Sequence, residues 1–149
     1  MQLYSAIRIT DNLLNDKSYY FEEVLTIKQM IDESENDFYK LFLLDEIFKG
    51  TNTIERIAAG KAVLSYIGRG KNIVIVSTHD IELTDLLKET YELYHFTETI
   101  ENDSIFFDYK LKKGELTTRN AIRILELNDY PPEIISEAKE ISTNTVTNN

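Results

Sequence analysis

Two short, continuous apolar runs stand out in the first half of the chain. Residues 41–44 read LFLL and residues 73–76 read IVIV. Runs that are apolar on both faces are typical of parallel strands buried between helices. Residues 52–67, which lie between them, have the pattern of a helix, because Asn52 and Glu55 have capping-box spacing and glycines follow the segment. The sequence therefore predicts a strand–helix–strand unit within a parallel sheet.

Apolar stripes on two predicted helices indicate which side chains face the core. The first helix covers residues 17–35, and its stripe consists of Tyr20, Val24, Ile27 and Ile31. The second helix covers residues 52–67, and its stripe consists of Ile54, Ala58, Ala62 and Ile67. We expect both helices to be buried along these stripes.

Smaller elements are predicted around this unit. Residues 3–9 alternate loosely between apolar and polar positions, which indicates a short strand. Residues 81–89 have the pattern of a short helix. Residues 91–99 and 104–111 alternate on either side of polar turn residues, so they predict a β-hairpin, and residues 112–114 predict a turn.

The C-terminal part of the chain predicts helices and a tail. Residues 120–127 are helical in pattern, and the two prolines at 131 and 132 are typical of the start of a last helix. Residues 142–149 are polar and aperiodic, which predicts a disordered tail. A chain of 149 residues suits one domain. The predicted organisation is therefore a single domain over residues 1–141 followed by the tail.

The composition narrows the class of protein. Hydrophobic residues make up 42% of the chain and charged residues 28%, as in ordinary soluble globular proteins. The net charge of −10 opposes stand-alone binding to nucleic acid, because phosphates favour a basic surface. There is no cysteine, which excludes disulfides and thiolate metal sites.

The same composition bears on location. The longest apolar runs have four residues, far short of the ~20 that a membrane span needs. The start of the chain, MQLYSAIRITDN, lacks the basic and then apolar pattern of a secretory signal. We therefore expect a cytoplasmic protein with no membrane contact from this segment.

Polar residues follow both apolar runs at the points where the predicted strands end. Asp45 and Glu46 follow the first run, and Ser77, Thr78 and His79 follow the second. The carboxyl ends of parallel strands meet at one edge of the sheet, and ligands of open α/β sheets bind beyond that edge. The two polar clusters are therefore expected to lie together at a functional site.

Two interpretations of these residues stay open at this point. An aspartate that ends an apolar strand can hold Mg²⁺, and an adjacent glutamate can orient a water, as in the Walker B arrangement of phosphoryl-transfer sites. Alternatively, Asp45 and Glu46 cap the helix that follows them. His79 is placed to reach a terminal phosphate, or else it caps the helix that starts near Ile81.

Aromatic and basic residues of the predicted hairpin allow a nucleic-acid interpretation. The aromatic set consists of Tyr91, Tyr94, Phe96, Phe106, Phe107 and Tyr109. Their alternation favours core and cross-strand packing over stacking on bases. Lys110, Lys112 and Lys113 favour a solvated turn over a phosphate contact, and His95 has no clustered partner, which favours a structural role.

Five segments, in this order along the chain, resemble the MutS family. Residues 11–23 resemble its signature stretch, residues 41–53 (LFLLDEIFKGTNT) its Walker B strand and following loop, and residues 77–83 (STHDIEL) its TH..EL segment. Residues 107–114 and 130–135 resemble the strand and helical tail that close its ATPase domain. The combination of DE, GTNT and THD-EL is more specific than the DE and histidine that other ABC-type ATPases share.

The resemblance implies a fold and two cofactors. The fold is α/β, with a partial P-loop NTPase sheet of the ABC type, flanking helices, a β-hairpin and a C-terminal helical tail. The cofactors are ATP and Mg²⁺. By resemblance, Asp45 would coordinate Mg²⁺, Glu46 would orient the attacking water, and His79 would sense the γ-phosphate.

The resemblance also implies a dimer. Asn52 and Thr53 would lie in a dimer-facing loop, and Ser18 would approach nucleotide bound to the partner subunit. A serine at a helix start is also a common cap, so Ser18 retains that alternative role. DNA would be contacted only through domains outside this stretch.

One motif of such ATPases does not occur in the sequence. The phosphate-binding loop, G-x-x-x-x-G-K-[ST], is missing from the 149 residues and lies upstream in the family. We therefore expect the C-terminal part of a MutS-like ATPase domain, which couples ATP binding and hydrolysis to DNA repair or DNA-structure processing in a homodimer and is inactive alone. The alternative is a non-catalytic dimerisation or interaction module derived from such an ATPase.

Overall fold

The structure, a computed structural model, describes four ranges of the chain: residues 1–7, 19–102, 104–116 and 120–147. It divides into two compact units, Met1–Glu92 and Leu93–Asn149. The single domain predicted over residues 1–141 stays a prediction.

The first unit is built on a parallel sheet of three strands. They are β1 (Gln2–Ala6), β2 (Lys40–Asp45) and β3 (Ile73–Ser77), in the order β1-β2-β3. The register pairs Leu41 with Leu3 on one side and with Ile73 on the other. The three predicted strands and the α/β class are therefore confirmed, and the part of the first strand predicted beyond residue 7 lies outside the described residues.

Three helices accompany this sheet. They are α1 (Tyr19–Ser34), α2 (Thr53–Ile67) and α3 (Ile81–Leu87). The predicted capping box at the start of α2 is confirmed, since Asn52 Oδ1 accepts the Glu55 backbone N–H at 3.0 Å and Asn52 Nδ2 donates to Glu55 Oε2 at 2.5 Å. The cap fixes where the chain leaves the loop that follows β2.

The core of the first unit joins one face of the sheet to the helices. Its buried apolar residues are Ala6, Ile27, Met30, Phe42, Leu44, Ile47, Phe48, Leu64, Ile67, Leu83 and Leu87. Small residues allow close packing here, because a Cβ on Gly60 would lie 3.3 Å from Ile47 and 3.4 Å from Leu83.

The predicted stripe is largely confirmed on α1 and corrected on α2. In α1 the predicted Ile27 is buried and the predicted Val24 and Ile31 pack against the core, whereas Tyr20 is 36% exposed. In α2 the buried residues are Gly60, Leu64 and Ile67, whereas Ile54 is 82% exposed. The helical period of the α2 stripe was right but its phase was wrong, because a glycine belongs to the inward face.

The other face of the sheet is apolar and exposed. Leu3 is 62% exposed, Ile73 53% and Ile75 58%, and Leu41 and Leu43 beside them are half-buried. The register places all five on the same face. Among the described residues of this unit, the face that carries Phe42 is covered and the opposite face is not, so the prediction that the strands are buried on both faces is wrong here.

The second unit contains two short antiparallel ladders. In one, β5 (Glu98–Glu101) pairs with β6 (Ser104–Phe107), and in the other, β4 (Tyr94–His95) pairs with β7 (Lys112–Lys113). The predicted hairpin is confirmed. Residues 112–113 form a strand rather than the predicted turn, because they pair with β4.

Of the predicted aromatic set, Tyr91 packs against the core of the first unit, as expected. The other five are exposed, which corrects the prediction of core packing for them. Phe96 is 61% exposed, Phe107 57% and Tyr109 85%. Lys112 forms an ion pair with Asp108 at 2.9 Å, and His95 Nδ1 lies 2.9 Å from the Gly114 carbonyl oxygen. These local contacts favour the structural roles predicted for Lys112 and His95.

Two helices end the chain. They are α4 (Ala121–Leu127), as predicted, and α5 (Pro132–Thr147), and Glu126 of α4 pairs with Lys139 of α5. α5 continues through residue 147, so it includes most of residues 142–149, for which the sequence predicts a disordered tail. Within the described residues, no helix combines the length and the apolar character that a membrane crossing requires.

Candidate functional site

The carboxyl ends of β2 and β3 bring the two polar clusters together. Asp45 lies opposite Ser77 in the parallel register, and the Ser77 hydroxyl donates to Asp45 Oδ1. The backbone N–H of Glu46 donates to the Ser77 carbonyl at 3.0 Å. The predicted common edge is therefore present, and His79 follows two residues after the end of β3.

Glu46 is the centre of this edge. Its Oε1 lies 2.7 Å from His79 Nε2, and its Oε2 pairs with the ammonium of Lys49. The Glu46 side chain is 24% exposed, whereas the His79 side chain is 93% exposed. The carboxylate is thus held between two side chains, and the one from His79 projects into solvent.

The structure does not support the alternative in which Asp45, Glu46 and His79 cap the helices that follow them. Asn52, and neither Asp45 nor Glu46, occupies the N-cap of α2. The N-cap position of α3 belongs to Asp80, and His79 Nε2 lies beside Glu46 Oε1 instead. Glu46 and His79 therefore contact each other, and Asp45 contacts Ser77, rather than capping the adjoining helices.

An ion pair that the sequence analysis missed holds the His79 segment to α2. Arg56 Nε donates to Asp80 Oδ2 at 2.8 Å, and Arg56 Nη2 donates to Asp80 Oδ1 at 2.7 Å. The backbone N–H of Asp80 also donates to Thr78 Oγ1 at 3.0 Å. A bidentate pair of this kind fixes direction as well as distance, so it sets where His79 stands relative to Glu46.

We expect Arg56→Ala to lower the free energy of unfolding by about 1–2 kcal/mol, because it leaves the partly buried Asp80 without its two charge-assisted hydrogen bonds. Arg56→Lys should recover only part of the loss, since an ammonium cannot form the fork. Urea unfolding measures both. Lys28→Ala, which breaks an exposed pair with Asp32, is the matched control and should cost less than about 0.5 kcal/mol. Equal losses at the two sites would contradict the assigned role.

The Arg56 contribution has a defined dependence on pH. The hydrogen bond from Arg56 lowers the pKa of Asp80 below its ordinary value of 3.8, against an opposing effect of burial. A carboxyl with a lowered pKa stabilises the fold above its ordinary pKa, and this stabilisation is lost as the pH falls through the lowered value. The difference between the wild type and Arg56→Ala should therefore be constant near neutral pH and shrink below pH 3.8.

The turn after β2 has an unusual backbone and a buried acidic contact. Glu46 and Phe48 have φ values of 51° and 60°, in a region that costs residues other than glycine about 1–3 kcal/mol each. The Phe48 backbone N–H donates to the carboxylate of Glu23, which is 4% exposed. Burial raises the pKa of Glu23, and the Phe48 N–H and the Lys49 charge oppose that rise.

Sequence reasoning also missed Glu23. The available signal was its spacing, because Glu23 stands four residues before Ile27 and seven before Met30, the two apolar residues that α1 buries. A charged residue in phase with a buried stripe indicates a partner in the core.

The donor set at the edge fits a magnesium ion. In the ranges that the structure describes, no three or more His, Cys, Asp or Glu residues form a metal-binding group. Mg²⁺ needs fewer protein ligands, since it is usually held by one or two carboxylates together with waters and phosphate oxygens. Asp45, with the Ser77 hydroxyl beside it, offers oxygen donors of that kind.

Of the other predicted site residues, two lie at the start of α2. Asn52 caps α2, and Thr53 is the first residue of that helix and is exposed. Neither has a described contact with Asp45 or Glu46. Ser18 lies outside the described residues.

Comparison with known proteins shows the family of the chain. The family model for MutS domain V matches residues 1–146. The chain is 32% identical over 143 residues to the DNA mismatch repair protein MutS of Listeria monocytogenes serotype 4a, which covers 94% of this chain and 16% of that protein. It is 31% identical over 151 residues to human MutS protein homolog 4, covering 95% of this chain and 16% of that protein.

A third relative, the DNA mismatch repair protein MutS of Orientia tsutsugamushi, is 32% identical over 143 residues. The match extends over nearly all of this chain, so the chain belongs to the MutS family, in the region of domain V. It spans about one sixth of the length of these relatives.

Proposed function

We propose that this chain supplies the acidic, hydrolytic edge of a MutS-type ATPase of the ABC class. The observation that carries the proposal is the meeting of Asp45, Glu46 and His79 at the carboxyl ends of two parallel strands. In open α/β sheets this is where ligands bind. We further assign the three-stranded sheet to a partial P-loop NTPase sheet.

Each residue at the edge has a separate proposed role in ATP hydrolysis. Asp45 holds Mg²⁺, which when bound neutralises charge on the phosphate oxygens. Glu46 accepts a hydrogen bond from the attacking water and orients it. For this the Glu46 carboxylate must exchange its present contact with His79 or Lys49 for the water. Once released from Glu46, the exposed His79 imidazole would turn toward the γ-phosphate.

The proposal includes a partner subunit. Asn52 and Thr53 begin α2 at the exposed end of the loop that follows Glu46, which suits the dimer-facing role implied by the family. Ser18 would approach ATP bound to the partner in a homodimer. DNA would be reached through other domains, in keeping with the net charge of −10, and the link to mismatch repair follows the names of the relatives. The cytoplasmic location stays a prediction.

Two further features favour a nucleotide site that is complete only together with another segment of protein. The sequence has no G-x-x-x-x-G-K-[ST] loop, whose N–H groups and lysine supply much of the grip on phosphates. The sheet also exposes Leu3, Ile73 and Ile75 on one apolar face. Contiguous apolar surface of this kind marks a place where further protein packs.

We therefore expect the purified chain to release no phosphate from Mg²⁺-ATP above background. A restored ATPase, defined as this chain joined to a MutS-family segment that carries the phosphate-binding loop, should release it. A continuous phosphate-release assay compares the two. Turnover by the chain alone that Glu46→Gln abolishes would contradict the dependence on a completing segment.

A non-catalytic interaction module is the second candidate. It is favoured by the fact that both carboxylate oxygens of Glu46 already have partners, His79 and Lys49. The same assay separates the two functions, because a module would leave the restored ATPase inactive while the chain still bound its partner subunit.

A further inference from the structure

The turn that presents Glu46 is held by α1 rather than by its own sequence. Glu46 and Phe48 are both in the left-handed region, with only Ile47 between them. None of the three is a glycine or an asparagine, the residues that adopt this conformation readily. Such a backbone persists only where surrounding contacts impose it.

Three contacts from the first turns of α1 converge on this segment. The Phe48 N–H donates to the Glu23 carboxylate, and the Phe48 ring lies 6.3 Å from the Tyr20 ring, centroid to centroid. A Cβ added to Gly50 would stand 2.6 Å from Tyr20 Cβ, so the backbone there passes directly against the helix. α1 therefore contacts the turn at Phe48 and the backbone after it at Gly50.

The carboxylate is the polar part of this contact. Glu23 is 4% exposed, and its Oε2 has no well-aligned hydrogen bond among the described residues. Burying a carboxylate is costly unless it is hydrogen-bonded. The packing of α1 buries Glu23, so its carboxylate is held against the Phe48 N–H, a donor within reach. A hydrogen bond to a charged acceptor is about twice as strong as a neutral one.

We infer that Glu23 is a positioning residue, which clamps the Phe48 amide and so fixes the turn conformation that directs Glu46 at the carboxyl edge of β2 and β3. The clamp itself does not depend on the proposed function, whereas its effect on hydrolysis does. Because α1 follows directly on the segment of Ser18, the same contact joins the signature region to the hydrolytic residue of its own chain.

The first test reads the clamp in the 149-residue chain without nucleotide. Amide hydrogen exchange is followed at Phe48 and, as an internal reference, at Ile27 in the same helix. Glu23→Ala should speed exchange at Phe48 by at least about tenfold relative to Ile27. Glu23→Gln keeps an acceptor oxygen and should stay within about threefold of wild type, and Glu22→Ala, at the exposed neighbouring position, should have no effect.

Two results would overturn the clamp. One is an unchanged Phe48 rate in Glu23→Ala. The other is equal acceleration at Phe48 and Ile27, which means general loss of stability rather than release of the turn. If Glu23→Ala does not fold, the comparison of Glu23→Gln with the more conservative Glu23→Asp decides, since the shorter side chain retains the charge but should not reach the amide.

The second test reads the consequence in the restored ATPase. Glu23→Ala should lower kcat between about ten- and a hundredfold with little change in KM, as expected when a reacting group is displaced, and Glu23→Gln should recover most of it. If kcat is unaffected while Glu46→Gln is inactive, the positioning role fails and the proposed function stands. If Glu46→Gln remains active, the proposed function fails, and the exchange result still decides the clamp.

Discussion

Glu46→Gln is expected to lower kcat of the restored ATPase by about 10²–10⁴-fold, the range that removal of a general base produces. The amide keeps the shape of the side chain and can still accept from His79. It cannot carry the negative charge that polarises a water. ATP binding should be retained, since neither oxygen of Glu46 is proposed to contact the nucleotide.

Single-turnover phosphate release with radiolabelled ATP separates binding from chemistry in this variant. Glu89→Gln, at an exposed position of the same unit, is the matched control and should leave kcat within twofold of wild type, about the scatter expected when no catalytic contact is lost. A Glu46→Gln protein that turns over normally would assign the acidic edge a structural role, with the carboxylate serving only to bind His79 and Lys49.

The local parts of the fold follow from the sequence because their causes are local. The β-branched run of residues 73–76 formed a strand, and Asn52 capped α2 through Glu55, three residues away. The common edge of the two polar clusters followed from the parallel arrangement of β2 and β3 alone. These features depend on side-chain period and chain direction, which a single sequence carries.

Burial could not be predicted in the same way. The IVIV run is equally apolar on both faces, yet Ile73 and Ile75 are exposed while Val74 and Val76 pack on the core. Which face is covered depends on where the helices return, and that information is spread over the chain. The phase of the α2 stripe failed for the same reason. The burial of Glu23 in α1 likewise involves a contact with Phe48, 25 residues away.

The supporting residues of the site were missed because they act over long sequence separations. Arg56 reaches Asp80 across 24 residues, and no motif links the two. Lys49 stood inside a recognised segment, but its pairing with Glu46 depends on a turn with two left-handed residues. Such backbone is imposed by tertiary contacts, which periodicity does not reveal.

Asp45 offers the most direct test of the proposal that a metal–nucleotide complex sits at the carboxyl edge of the sheet. In the restored ATPase, Mn²⁺-ATP should broaden the amide signals of Glu46 and Ser77 and spare those of Gln2 and Gly70, which lie toward the amino ends of the strands. Asp45→Asn should abolish the broadening at equal metal concentration, because loss of a carboxylate ligand weakens a metal site by at least about tenfold. Broadening that is centred on other residues, or that Asp45→Asn leaves unchanged, would contradict the assignment of this edge as the hydrolytic site.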